Sequence, residues 1–152
     1  MKIRKVSPNG RKRAFEVTTY GQTYWFPYAK LDVRPSRDNP VTRVFVDKEL
    51  DNEAFSYELR SGDEGTVHLD HVLHYNRDPR YMRDQLLYKL TLAARQRVES
   101  SPLSKRELIR RLGTSPAQFY RLLDQTNYKK SLDQLMALLH VLDCEVELVV
   151  KT

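Results

Sequence analysis

Three of the chain's four histidines fall within one short run, "HLDHVLH" (68–74). His68, Asp70, His71 and His74 carry the imidazole and carboxylate donors that a transition metal accepts. Their spacing argues against such a site. On a strand His68, Asp70 and His74 share a face while His71 points away; on a helix His71 and His74 align and His68 drifts. No second cluster of Cys, His or Glu offers a further ligand. Polar surface residues near a domain junction are expected, with no metal and no cofactor. No nucleophile, base and orienting group stand together, and five glycines leave no phosphate loop, so no enzyme is expected. "YGQTYWFPY" (20–28) crowds Tyr20, Tyr24, Trp25, Phe26 and Tyr28. Such rings can stack single-stranded bases, but strand-like alternation favours core on one face and a protein-contact patch on the other.

A different chemistry lies in "RRLGTSPAQFYRLL" (110–123), where Gly113, Ser115 and Pro116 stand between two apolar-striped runs. Only Thr114 separates Gly113, suited to a left-handed helix end, from Ser115, suited to the next N-cap. So short a connection makes two helices cross steeply instead of folding back. With Phe119, Leu122 and Leu123 inward, Ala117, Gln118, Tyr120, Arg121 and Asp124 lie more outward. Gln pairs bidentately with adenine and Arg with guanine in a major groove. The same pattern would also coat a plain helical bundle with a basic surface.

The elements that position these residues follow from composition and periodicity. The chain has 152 residues, 40% of them hydrophobic, enough for a real core in one domain or two small ones. No apolar run is long enough to span a membrane, and the basic start lacks the apolar segment of a secretory signal. The lone Cys144 fits a reducing compartment and a small core position; a cytoplasmic protein is expected. The net charge of +6 is unevenly spread. Residues 1–14 hold six Lys/Arg and no acid, and residues 103–130 hold seven against Glu107 and Asp124, so the remainder is acidic. Two basic islands in an acidic body suggest a polyanion partner.

Residues 1–76 are expected to form a mainly-β domain, with strands in "RAFEVTTY", "QTYWFPYA", "TRVFVDKE", "AFSYELRS" and "GTVHLDHVLHY". Phe45, between Val44 and Val46, suggests a buried strand. From Asp78 the period turns helical over residues 77–152. Asp78 caps, Pro79 takes the first helical position, and Met82, Leu86, Leu87, Leu90, Ala94 and Val98 form a stripe. Ser104 with Glu107, Ser115 with Gln118 and Ser131 with Gln134 are three capping boxes. Helices are expected at 79–98, 104–112, 115–124 and 131–142, and "EVELVV" (145–150) as a final strand. The fold class is thus α+β.

Residues 80–143 resemble the Cro/repressor-type helix-turn-helix family, also called xenobiotic-response-element or lambda-repressor-like. The likeness runs through "LSKRELIRRLGTSPAQFYRLLDQTNYKKSLDQLMALLHVLDC". It has the "L-S-x-x-E-L" opening, the glycine at the turn, a recognition helix, a polar loop and a closing "L-x-x-L-x-x-x-L" helix. The end of the chain is similar to small bacterial regulators, including helix-turn-helix antitoxins. Two positions depart from the pattern: Ile109 stands where a small residue is usual, and Thr114 where an apolar one is.

The resemblance implies an all-α DNA-binding domain. By its pattern Ala117, Gln118 and Arg121 would read base edges, while Lys105, Ser115, Asn127, Lys129 and Lys130 would contact phosphate. The function so implied is sequence-specific binding of double-stranded DNA, as a transcriptional repressor or the antitoxin of a toxin–antitoxin pair. A homodimer on a palindromic operator is expected, with a toxin protein as a further candidate partner. The alternative is a protein-interaction module that neutralises a toxin or enzyme and uses its helical half only to dimerise.

Overall fold

Period-two patterning and turn residues build the first half of the chain as two antiparallel meanders. The structure, a computed structural model, describes residues 1–152. Strands β1 (Ile3–Asn9), β2 (Ala14–Thr19) and β3 (Thr23–Pro27) pair in that order, and β4 (Val41–Val46), β5 (Ala54–Leu59) and β6 (Glu64–His68) form a second sheet. Helices α1 (Leu69–Tyr75), α2 (Pro79–Ser100), α3 (Lys105–Leu112), α4 (Pro116–Leu122) and α5 (Leu132–Val141) follow. The chain divides into two compact units, Met1–Tyr81 and Met82–Thr152. No helix is long and apolar enough to cross a membrane.

In the first unit the central strands β2 and β5 alternate between buried and half-buried residues. The register sets Phe15 opposite Phe26 and Val17 opposite Tyr24 on the inner face of the first sheet, with Glu16 opposite Trp25 outside. Phe15 is fully buried, and its ring lies 4.9 Å from Phe55, 5.2 Å from Tyr57 and 5.1 Å from Tyr28. One side chain thus joins the cores of both sheets, each aromatic pair contributing about 0.5–1.5 kcal/mol beyond area burial. Helix α1 adds Leu69, Val72 and Leu73 to this core. Asp78 receives Tyr24 Oη at 2.7 Å on one carboxylate oxygen and the Tyr81 amide at 2.9 Å on the other. That second bond is the expected cap of α2. Burial, with the Asp78 carboxylate beside it, pushes the Tyr24 phenol up to about 12.

Several expectations need correction here. The basic terminus hides a strand, β1, which buries little more than Ile3 and lies at a sheet edge. Its alternation was too weakly apolar to register, and its Pro8 is tolerable because an edge strand needs fewer amide donors. "GTVHLDHVLHY" is not one strand: the chain leaves the sheet at His68 and becomes helical at Leu69. Phe45 is not a core residue. It pairs with Ser56 on the outer face, where the Arg43 guanidinium lies 4.5 Å from its ring centre. The aromatic run does alternate, with Tyr24, Phe26 and Tyr28 buried, Trp25 half-buried under Lys12, and Tyr20 exposed beside Arg4.

In the second unit α2 presents Leu87, Thr91, Ala94 and Val98 inward, while Leu86 is exposed. Ala94 and Val98 meet Leu108, Phe119, Leu122, Leu138 and Leu139, and the half-buried Cys144 packs against this group. Residues 145–150 form no strand. Leu148 and Val150 are about four-fifths exposed, for no neighbouring strand within the chain offers them a ladder.

Gly65 of β6 faces Tyr57, a buried ring whose hydroxyl donates to the Val33 carbonyl. A Cβ at Gly65 would fall within the van der Waals envelope of that ring, whereas one at Gly10 would meet nothing. Gly65→Ala should therefore cost about 1–3 kcal/mol by overpacking, and Gly10→Ala under about 0.5 kcal/mol. Urea unfolding followed by fluorescence of Trp25, the single tryptophan, measures both.

Candidate nucleic-acid interface

Local cap chemistry shapes the segment from α3 to α5. Ser104, Ser115 and Ser131 each precede a helix in extended conformation, and their hydroxyls accept the amides of Glu107, Gln118 and Gln134 at 3.1, 3.2 and 3.1 Å. Only this half of each capping box forms. The Glu107 carboxylate turns instead to Arg110 and Arg111, which hold it at about 2. α3 ends at Gly113, whose φ of 71° is left-handed, and its amide bonds the Ile109 and Arg110 carbonyls at 3.1 Å. A side chain there would strain the turn. Thr114 then donates to the Ile109 carbonyl at 3.3 Å, and α4 begins at Pro116.

This geometry buries Phe119 and Leu122 and leaves Ala117, Gln118, Tyr120 and Arg121 exposed along α4. The inward and outward sets match those expected, except that Leu123 is only half-buried. Gln118, Arg121, Asn127, Lys129 and Gln134 share the lining of an open groove of about 490 Å³ beside α4. Gln134, at the start of α5, is marked by its sequence context only as a cap residue; its place in the groove depends on how the loop folds back. Asn127 accepts the Lys129 amide at 3.0 Å and donates to the Arg121 carbonyl at 3.3 Å, so it shapes the loop as well as lining it. The Arg83 guanidinium donates to the Tyr128 carbonyl and ties the same loop to α2. Asp124 folds onto Thr126, whose hydroxyl and amide hold the carboxyl below its usual range.

The remaining expected residues lie elsewhere. Lys105 opens α3, exposed, with Nζ 3.7 Å from Glu99. Ser115 stands at the start of α4 with its hydroxyl engaged by the Gln118 amide. Lys130 is a correction: it is 7% exposed, and its ammonium points inward to Thr91, Leu122 and Asp124. It cannot also reach a phosphate, because all three of its donors are taken.

His68, Asp70, His71 and His74 are exposed and diverge: His68 and His71 have ring centres 6.5 Å apart, and His74 lies edge-on to Tyr81. No group of three or more His, Cys, Asp or Glu side chains is placed to hold a metal ion.

No curated protein and no solved structure matches the chain, and no family model covers its N-terminal half. The helical half is different, and the match agrees with the left-handed turn and the capped, outward-facing α4 just described. From the last turn of α2 to the exposed tail, residues 97–147 match the Cro/C1-type HTH DNA-binding domain.

Proposed function

We propose that this protein is a sequence-specific regulator that binds double-stranded DNA in the cytoplasm, as a repressor or as the antitoxin of a toxin–antitoxin pair. The observation that carries the reading is the convergence of Gln118, Arg121 and Lys129 on one groove beside an exposed α4, within the segment matching the family. Arg121 forms no ion pair, so its guanidinium fork is free to pair with a guanine edge. Gln118 offers the amide that matches adenine, and Ala117 is small enough to let the helix approach. Phosphate affinity comes from Lys129, Lys105, Asn127 and the start of α4 at Ser115. The role is binding, with no catalysis.

One α4 spans only a few base pairs, so the reading includes a homodimer on a palindromic operator. The exposed tail supplies a means. Val146, Leu148 and Val150 stand two residues apart, separated by Glu147 and Val149, and two such tails pairing across a two-fold axis would give each the ladder it lacks alone. In that assembly residues 145–150 become the final strand. A second reading, an interaction module that neutralises a toxin, is favoured by the exposed Tyr20 and by Trp25 and Phe45 on the outer faces of the sheets.

Two experiments separate these statements. Arg121→Ala should weaken the cognate duplex by about 1–3 kcal/mol and relax one base preference, while Lys129→Ala weakens cognate and scrambled duplexes alike and lowers the salt slope by about one. Titrations on both duplexes at two salt concentrations provide the comparison, and absence of tight duplex binding by the unaltered chain would favour the interaction module. Sedimentation should find a dimer at micromolar concentration; a chain ending at Cys144 should be monomeric and bind its operator more weakly.

A further inference from the structure

Lys129 and Lys130 are chemically identical neighbours that both border the groove, yet they differ in burial and in where the ammonium goes. Lys129 is exposed on the groove, whereas Lys130 sends its ammonium into the interior. There Nζ donates to Thr91 Oγ1 at 2.8 Å, to the Leu122 carbonyl at 2.8 Å and to the Asp124 carbonyl at 2.7 Å. Three donors meet three acceptors, and none is left over. Thr91 is fully buried on α2, and its own hydroxyl donates to the Leu87 carbonyl at 2.7 Å, so toward Lys130 it can only accept. Leu122 is the last residue of α4, where carbonyls lack helical partners and the helix dipole is negative.

We propose that Lys130 is a positioning residue that pins the C-terminal end of α4 to α2 and so sets where Arg121 stands. This rests on the DNA-binding reading above. Phe119 and Leu122 hold α4 by apolar contact, which is non-directional and tolerates rotation or sliding of a short helix. Hydrogen bonds to two backbone oxygens at the end of the helix are directional, and one of them belongs to the residue beside Arg121. Thr91 anchors the other side on the longest helix of the unit. Ser131, the next residue after Lys130, caps α5, so a single step of chain links the end of α4 and the start of α5 to the middle of α2. Burial pushes the Lys130 ammonium down and only Asp124 opposes it. A buried ammonium is a costly way to gain stability, and an aliphatic side chain would fill the same space at lower desolvation cost. Its use here is intelligible as a means of fixing position.

The test uses Thr91→Val, which keeps shape and is out of reach of any DNA, together with Lys130→Met. Both are compared with the unaltered full-length chain on the duplex that chain selects from a random pool and on a scrambled duplex, at two salt concentrations. The titrations are run at a temperature where circular dichroism shows each variant folded. Positioning predicts that the cognate-to-scrambled ratio falls about tenfold in Lys130→Met and by a smaller factor in Thr91→Val, the range that loss of one bidentate base contact covers, with the salt slope unchanged. Faster hydrogen exchange of the α4 amides should accompany it in both variants. Should Lys130→Met fail to fold, Thr91→Val carries the test alone. A ratio unchanged in folded variants overturns the inference in favour of simple stabilisation. A salt slope lowered by about one in Lys130→Met, with Thr91→Val unaffected, overturns it in favour of a phosphate contact. If the unaltered chain selects no duplex, the DNA-binding reading fails first, and unchanged α4 exchange in Thr91→Val would then reject the pinning itself.

Discussion

A one-residue connection between a left-handed helix end and the next N-cap is the constraint on which the rest of the helical unit depends. With Gly113 at φ 71° and Ser115 already extended for its cap, Thr114 has no room to turn the chain back. α4 must therefore leave α3 at a steep angle, which turns Phe119 and Leu122 toward Leu108 and the α5 leucines. The remaining positions of so short a helix have nowhere to go but outward. Exposure of Gln118 and Arg121 thus follows from backbone geometry before any partner is considered.

The same geometry decides which charges remain available. The segment 103–130 is rich in Lys and Arg, yet its formal charge overstates its field. Glu107 accepts both Arg110 and Arg111, and the two guanidiniums keep it ionised by holding its carboxyl at about 2. Lys105 lies near Glu99, and Lys130 is buried. Arg121 and Lys129, both beside the groove, stay unpaired. Arg106, exposed on α3 and away from the groove, is also unpaired, so the free cations of the segment are Arg121 and Lys129 beside the groove and Arg106 on α3. Screening weakens exposed pairs, so Arg110 and Arg111 can still attract a polyanion at long range, but they contribute little to its orientation.

Legibility of the sequence followed the range of the interaction concerned. Helix starts at Ser104, Ser115 and Ser131 were readable because a cap is settled within four residues, as was the glycine end of α3. Features decided by distant packing were not. Nothing in "YKKS" distinguishes Lys129 from Lys130; the difference is made by Thr91, 39 residues earlier. Leu86 and Leu87 are equally apolar, yet only Leu87 faces inward, and Thr91 takes a core position that hydrophobic periodicity passes over. β1 escaped notice because an edge strand with one buried residue lacks an alternating signal, and "HLDHVLH" hid a strand-to-helix change behind its polar residues. The outward placement of Ala117, Gln118 and Arg121 was legible from the family pattern, whereas the burial of Lys130 was not.

Energetics give the exposed tail its meaning. On the proposed reading, one glutamine and one arginine would supply about 1–3 kcal/mol of discrimination for each good pair, well short of what selects one site among the many that a chromosome offers. Adding phosphate contacts raises affinity for every sequence equally and leaves that deficit unchanged. On the same reading, a homodimer would double the reading surface, and it would require an interface that the lone chain leaves unfilled. Val146, Leu148, Val149 and Val150, exposed at the end of the chain, form the most continuous apolar stretch without internal partners. Leu132 and Met136, one turn apart on α5, add exposed apolar surface within the same unit. In the homodimer proposed above, exposure that is a cost to a solitary chain would become a source of stabilisation, and the reading surface and the pairing surface would lie in the same unit.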